Sequence, residues 1–144
     1  MKIVFAIYGE PAPKGRPKSV VRNGCVIVYT PKKTKDNEKF LRLSSIRYAP
    51  KKPFTGAVAL TARFYRSIPK SFSKKNRVLA DNGVLRPTPR PDLDNYLKQL
   101  EDSMNGVFVR DDSQVVGSHE QKFYSATPRI EIEIEELSER GSEK

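Results

Sequence analysis

Two aspartates one residue apart, Asp92 and Asp94, stand where a loop stiffened by Pro87, Pro89 and Pro91 gives way to a helical pattern. Leu93, Leu97, Leu100 and Met104 repeat at intervals of four, three and four, which predicts one apolar helix face. Asp94, Lys98 and Asp102 recur every four residues and form a second row, roughly 100° round the helix from the leucines. Like charges ~4 Å apart repel by ~4 kcal/mol at an effective dielectric near 20, so paired carboxylates call for a cation. Magnesium suits such a pair because it takes one or two carboxylates, keeps several waters and uses phosphate oxygens as further ligands. The competing reading makes Asp92 a helix cap and Asp94 a solvated first-turn acid, both favoured by the helix dipole.

A second acidic pair, Asp111-Asp112, follows a helix stop at Asn105-Gly106 and the link Val107-Phe108-Val109, and precedes a strand-like run from Gln114. A connection this short can fold back beside the helix start and bring a third carboxylate to the first two. With seven aspartates in 144 residues, chance supplies roughly 0.3 of each pair type. Two pairs placed in this order therefore outweigh either alone.

Pro91-Asp92-Leu93-Asp94-Asn95, Lys98, Asp102, Asn105-Gly106 and Asp111-Asp112-Ser113-Gln114-Val115-Val116 resemble the signature of the RusA family of Holliday junction resolvases. Glu10-Pro11-Ala12-Pro13-Lys14-Gly15-Arg16-Pro17, the helix start Thr30-Pro31-Lys32-Lys33-Thr34 and the closing strand Arg129-Ile130-Glu131-Ile132-Glu133 extend the likeness over most of the chain. The resemblance implies a homodimeric, magnesium-dependent endonuclease that makes paired nicks in branched, four-way DNA, with manganese as a substitute ion. It assigns metal binding to Asp92, Asp94 and Asp112, with Asp111 as a further candidate ligand, and the essential basic role to Lys98. Pro91 departs from the pattern, because some members carry a basic residue there. Arg90 or another cation must then supply that phosphate contact.

Charge is divided along the chain. Residues 1–90 carry 21 Lys and Arg against 4 Asp and Glu, a net of +17, whereas residues 91–144 carry 6 against 13, a net of −7. A basic half to hold polyanion and an acidic half to hold cation are what a metal-dependent nuclease needs. Cys25 is alone, which excludes an internal disulfide, and His119 is the single histidine, so no structural zinc set exists. No apolar run approaches the ~20 residues of a membrane span, and Met1-Lys2-Ile3-Val4 leads straight into strand-like sequence. The expectation is a soluble, cytoplasmic protein.

Lys2 to Tyr8 are apolar on both alternating faces and read as a central strand covered on both sides. Glu10 to Pro17 form a loop presenting Lys14 and Arg16, and Asn23-Gly24 predicts a tight hairpin between Ser19-Arg22 and Val26-Tyr29. Thr30-Pro31 predicts a capped helix running to about Tyr48, with Lys32, Lys35, Lys39 and Arg42 as a basic stripe for phosphates. Ala57 to Tyr65 alternate as a half-buried strand, and residues 67–86 hold at most one short helix. Phe72 in that stretch either wedges between bases or tucks under its own loop, and the second is expected. Residues 114–124 form a strand, and Glu131, Glu133 and Glu135 of the last strand should face solvent and repel DNA.

The expected architecture is α+β in a single domain over 1–136: a mainly antiparallel or mixed sheet of about five strands with two principal helices. Residues 137–144 form a polar tail expected to be disordered. Two other functions compete. Asp92 with Glu120-Gln121-Lys122 imitates the metal-site pattern of restriction-type nucleases, although ten Glu and fifteen Lys give about one Glu-x-Lys by chance. A basic nucleic-acid-binding module without catalysis is the other; with no tryptophan, it lacks the stacking platforms that single strands require.

Overall fold

In chain order the elements are β1 (Lys2–Tyr8), β2 (Lys18–Arg22), β3 (Cys25–Tyr29), α1 (Lys32–Ser45), β4 (Val58–Ser67), α2 (Lys74–Asp81), α3 (Leu93–Met104), β5 (Val115–Ser125) and β6 (Arg129–Glu136). Short 3-10 turns follow α1 at Ile46–Tyr48 and precede β5 at Asp112–Gln114. This computed structural model describes residues 1–137, so the expected tail from 138 onward lies outside the described residues. The four-stranded sheet has the order β1-β6-β4-β5, with β4 and β5 parallel and the other pairs antiparallel. The domain is α+β with a mixed sheet, as expected. The strand count differs because β2 and β3 pair only with each other, leaving four strands in the sheet.

Alternation builds the core. Val58, Leu60, Ala62 and Phe64 of β4 and Ile130, Ile132 and Ile134 of β6 point to one face, joined by Phe5 and Ile7 of β1. Tyr96, Leu100 and Met104 of α3 close over that face, with Phe64 stacked on Tyr96 at 5.1 Å between ring centroids. Leu100 is fully buried, so Leu100→Ala should cost about 2–5 kcal/mol.

Three local expectations are corrected. β1 is an edge strand with one buried face: Phe5 and Ile7 point into the core, while Val4 and Tyr8 point to the opposite face and are exposed. β6 lies inside the sheet, so Glu131 and Glu133 are half-buried on its outer face and neutralised rather than presented to solvent. Arg63 reaches Glu133 at 3.1 Å, Lys2 reaches it at 3.2 Å, and Arg129 reaches Glu131 at 3.0 Å. Finally, Pro31 rather than Thr30 is the N-cap of α1, and no side chain caps it. Asn23 and Gly24 do take the positive φ values, 51° and 77°, that the hairpin turn requires. Residues 67–86 contain one short helix, α2, and Phe72 tucks edge-on against Tyr124.

Candidate functional site

α3 buries more of its surface than the leucine pattern indicates. Tyr96, Gln99, Leu100, Ser103 and Met104 are buried while Leu93 and Leu97 are only partly so, because the helix meets α1 as well as the sheet. Gln99 Nε2 donates to the Thr34 carbonyl of α1 at 2.9 Å. The row Asp94, Lys98, Asp102 is thereby turned outward. Asp92 is the N-cap residue by position, yet its carboxylate makes no capping hydrogen bond. Asp94 lies in the first turn and is exposed.

The loop before Asp92 is strapped by two cations from the sheet. Arg66 of β4 donates to the Pro89 and Arg90 carbonyls at 3.4 and 3.3 Å. Lys122 of β5 donates to the Pro89 and Pro91 carbonyls at 3.2 and 3.0 Å. A segment rich in proline has few N–H groups with which to pair its own carbonyls, so side chains from neighbouring strands supply the donors. Arg66 carried no site signal in the sequence, and Lys122 carried one only as part of the restriction-type pattern, not as a strap on this loop.

The connection after α3 does fold back, and it brings Asp112 to Lys98. Lys98 Nζ lies 2.5 Å from Asp112 Oδ2 and 3.3 Å from Asp102 Oδ1. The bond to Asp112 raises the Lys98 pKa above the ordinary lysine value, with Asp102 adding to it and burial opposing. Lys14 then reaches the other oxygen of Asp102, Nζ to Oδ2 at 2.7 Å. The result is a chain of alternating charge, Lys14, Asp102, Lys98, Asp112. Lys14 was expected on a DNA-gripping loop; it is half-buried against this cluster.

Asp111 has a different task. Its side chain accepts from Ser113 N at 3.0 Å, while Gln114 Oε1 accepts from Asp111 N at 3.0 Å, a reciprocal cap on the 3-10 turn. The Ser113 bonds lower the Asp111 pKa. Gln114 Nε2 fastens the turn to the Phe54 and Gly56 carbonyls at 2.7 and 2.9 Å, which aims Asp112 at Lys98. Glu101 lies beside the cluster, its pKa raised by burial and then by Asp112.

A family model described as Endodeoxyribonuclease RusA matches residues 8–135. The chain belongs to this RusA family. It is 43% identical over 138 residues to the uncharacterized protein YqaN of Bacillus subtilis (strain 168), covering 94% of this chain and 97% of that one. A crossover junction endodeoxyribonuclease rusA of Lactococcus phage r1t is 47% identical over 51 residues, covering 35% of this chain and 39% of that one.

The expected DNA-binding cations of this RusA chain fall into separate groups. Lys32, Lys35 and Lys39 are exposed along α1, and among the described residues none is paired with a carboxylate. Arg42 leaves that stripe: it donates to the Ser103 and Asp102 carbonyls at 3.3 and 3.1 Å, satisfying the C-terminal end of α3. Arg16 is exposed and lines a cleft of about 540 Å³ with Lys18, Lys33 and the uncapped start of α1. Arg90 is exposed on the strapped loop.

The donors suit a hard divalent cation by chemistry, being carboxylate oxygens with no thiol or imidazole among them. They are not drawn together as a cage: among the described residues no three acidic, histidine or cysteine side chains converge on one point. The positive charge at the cluster is carried instead by Lys98 and Lys14. Among the described residues no helix is long and apolar enough to cross a membrane.

Proposed function

We propose that this protein is a magnesium-dependent endodeoxyribonuclease that resolves Holliday junctions by paired phosphodiester hydrolysis, acting in DNA recombination and repair in the cytoplasm. The observation that carries the proposal is the carboxylate of Asp92, uncommitted among the described residues. It occupies the N-cap of α3 and caps nothing, which is what a ligand carboxylate needs and a structural one does not. The printed name of the phage relative supports the substrate.

Asp92, Asp94 and Asp112 would hold the magnesium ion, with manganese as a substitute. Such an ion, when bound, lowers the pKa of a coordinated water and neutralises charge developing on phosphorus. Lys98 contributes a point charge toward a non-bridging phosphate oxygen rather than a bidentate clamp. The water oxygen forms its bond to phosphorus as the bond to the leaving sugar oxygen breaks, and that oxygen departs with a proton. Arg66 and Lys122 keep the Asp92 loop in place, and Gln114 with Asp111 keeps the Asp112 turn in place. Lys32, Lys35, Lys39, Arg16 and Arg90 grip the branched DNA.

A four-way junction has approximate two-fold symmetry, so a homodimer is the simplest device for cutting opposed strands. The β2–β3 hairpin supports it. Val21, Val26 and Val28 share one uncharged face with Ser19 and are 69%, 68% and 67% exposed. An isolated two-stranded hairpin is marginal in water, and a second copy of the chain is the proposed cover.

Purified protein incubated with a labelled four-way junction should give paired nicks in magnesium and none after chelation. Cleavage that ignores chelation, or that proceeds equally on linear duplex, would overturn the proposal. Sedimentation should show a dimer at micromolar concentration; a monomer that stays monomeric on junction DNA removes the two-fold argument.

A further inference from the structure

We infer that Lys14 is a second catalytic cation and Asp102 the positioning residue that holds Lys14 and Lys98 together at the scissile phosphate. The inference rests on the nuclease reading above. It moves Lys14 from DNA grip to chemistry.

The geometry is specific. Lys14 and Asp102 are 88 residues apart and meet at 2.7 Å. Asp102 gives one carboxylate oxygen to each lysine, Oδ2 to Lys14 and Oδ1 to Lys98, and Lys98 also meets Asp112. The Asp102 carboxyl side chain is 15% exposed against 35% for Lys14 and 48% for Lys98, so the acid is the sheltered hub and the ammoniums are its open ends. A merely structural ion pair needs one lysine.

The loop bearing Lys14 is fixed at three points. Lys14 N donates to the Asn95 carbonyl at 3.2 Å, directly on the first turn of α3. Gly15 N donates to Thr34 Oγ1 at 2.9 Å, and there is no room for a side chain here, since a Cβ on Gly15 would sit 2.5 Å from that same oxygen. Glu10 accepts from both Ser67 N, at 3.0 Å, and Ser67 Oγ at the other end of the loop. Three anchors, on three different elements, hold Lys14 over the α3 face that carries Asp94, Lys98 and Asp102. A DNA-gripping lysine needs none of them.

Charge accounting gives the second ammonium a task. The two lysines and the pair Asp102 and Asp112 cancel. Asp92 and Asp94 offset a divalent ion. Negative charge then grows on the non-bridging oxygens as water adds to phosphorus, and a cation fixed in advance stabilises it without reorganisation. Asp102 meets both lysines, one on each carboxylate oxygen, so one ammonium can turn to the phosphate while the other stays on Asp102.

The test is single-turnover cleavage of a four-way junction by the full chain, with junction binding measured separately in calcium or without metal. Lys14→Met should lower the cleavage rate by about 10²-fold, the usual cost of one preorganised donor. Junction affinity should change no more than one lost phosphate contact allows, a salt slope altered by at most ~0.9. Asp102→Asn should lower the rate similarly, and the double variant should fall little further, because the two act as one unit. Lys14→Arg, which keeps charge on a longer arm, should recover part of the rate. Thermal unfolding of each variant separates loss of rate from loss of fold. A parental protein that leaves the junction intact overturns this inference together with the nuclease reading. A parental protein that cuts, with Lys14→Met cutting at the same rate or failing only through weaker binding, overturns this inference alone.

Discussion

Replacing Lys32, Lys35 and Lys39 together by alanine tests whether α1 is the DNA-facing surface. All three side chains are exposed on one side of the helix, and none is spent on a carboxylate among the described residues. If each neutralises one phosphate, log K against log salt loses about 0.9 per contact, so the slope becomes shallower by about 2.7. Between 50 and 200 mM salt, a fourfold change, the parental complex should weaken about 40-fold more than the triple variant. Fluorescence anisotropy with a labelled junction, titrated at four or five salt concentrations without metal, measures this. Helix content should hold, since alanine favours helix at least as well as lysine. Arg42→Ala is the control: its guanidinium serves the end of α3, so it should cost stability with little change in slope. A triple variant with the parental slope would refute the assignment and place the DNA surface elsewhere.

Asp94→Asn should leave folding and metal-free junction binding intact, or tighten binding by removing a negative charge, while cleavage falls to near background; parental cleavage in magnesium would sink the proposed site. Asp92→Asn and Asp112→Asn should behave alike, whereas Asp111→Asn should be milder in rate because Asp111 accepts from Ser113 within its own turn. Lys122→Met should loosen the Asp92 loop, lowering metal affinity and rate while salt dependence stays parental; a changed slope would make Lys122 a DNA contact. Glu101→Gln should raise the melting temperature at pH 7.5. Burial raises the Glu101 pKa, so the native state holds that proton more tightly than the unfolded chain. Stability therefore falls as pH rises from the ordinary glutamate value through the raised one, and stays lower at neutrality. Near pH 4 the variant and parent should melt alike, and an equal or lower melting temperature at pH 7.5 would refute the burial argument.

Much of the site was legible because its residues are close in sequence. The period of α3 put Asp94, Lys98 and Asp102 in one row, and the short link after Asn105-Gly106 returned Asp112 to Lys98. Asp102 was visible in that row, but nothing local could assign it a partner 88 residues away. The strapping role of Arg66 and Lys122 was hidden for the same reason: each acts on carbonyls of a loop reached only through sheet pairing. The place of β1 was misread because apolar residues on alternating faces look alike whether the second face meets another layer or stays open. Val4 and Tyr8 are on the open face, and only the packing of elements on the sheet decides that. The fate of the glutamates followed from strand order. With β6 between β1 and β4, Lys2 and Arg63 flank Glu133, whereas Glu135 stays exposed as expected.

Glu120-Gln121-Lys122 shows how a motif can hold two readings until geometry separates them. On β5 the two charged side chains alternate onto one face, as a restriction-type site would need. A lysine in that role keeps its ammonium for phosphate. Here Lys122 gives two of its three donors to the Pro89 and Pro91 carbonyls, oxygens beside residues that have no N–H to offer. Lys98 is the reverse case. Among the described residues its partners are Asp112 and Asp102, carboxylates, of which Asp112 is the one a divalent ion would claim. A cation at Asp112 competes directly with Lys98, and a displaced ammonium half exposed at the surface meets the nearest remaining anion. Asp102 still holds one side of it, and in a complex with DNA the phosphate is the anion on the vacated side, so metal binding and phosphate engagement by Lys98 should be coupled. Whether calcium tightens junction binding more in the parental protein than in Lys98→Met measures that coupling, and equal tightening in both would mean that Lys98 stays on Asp112 throughout.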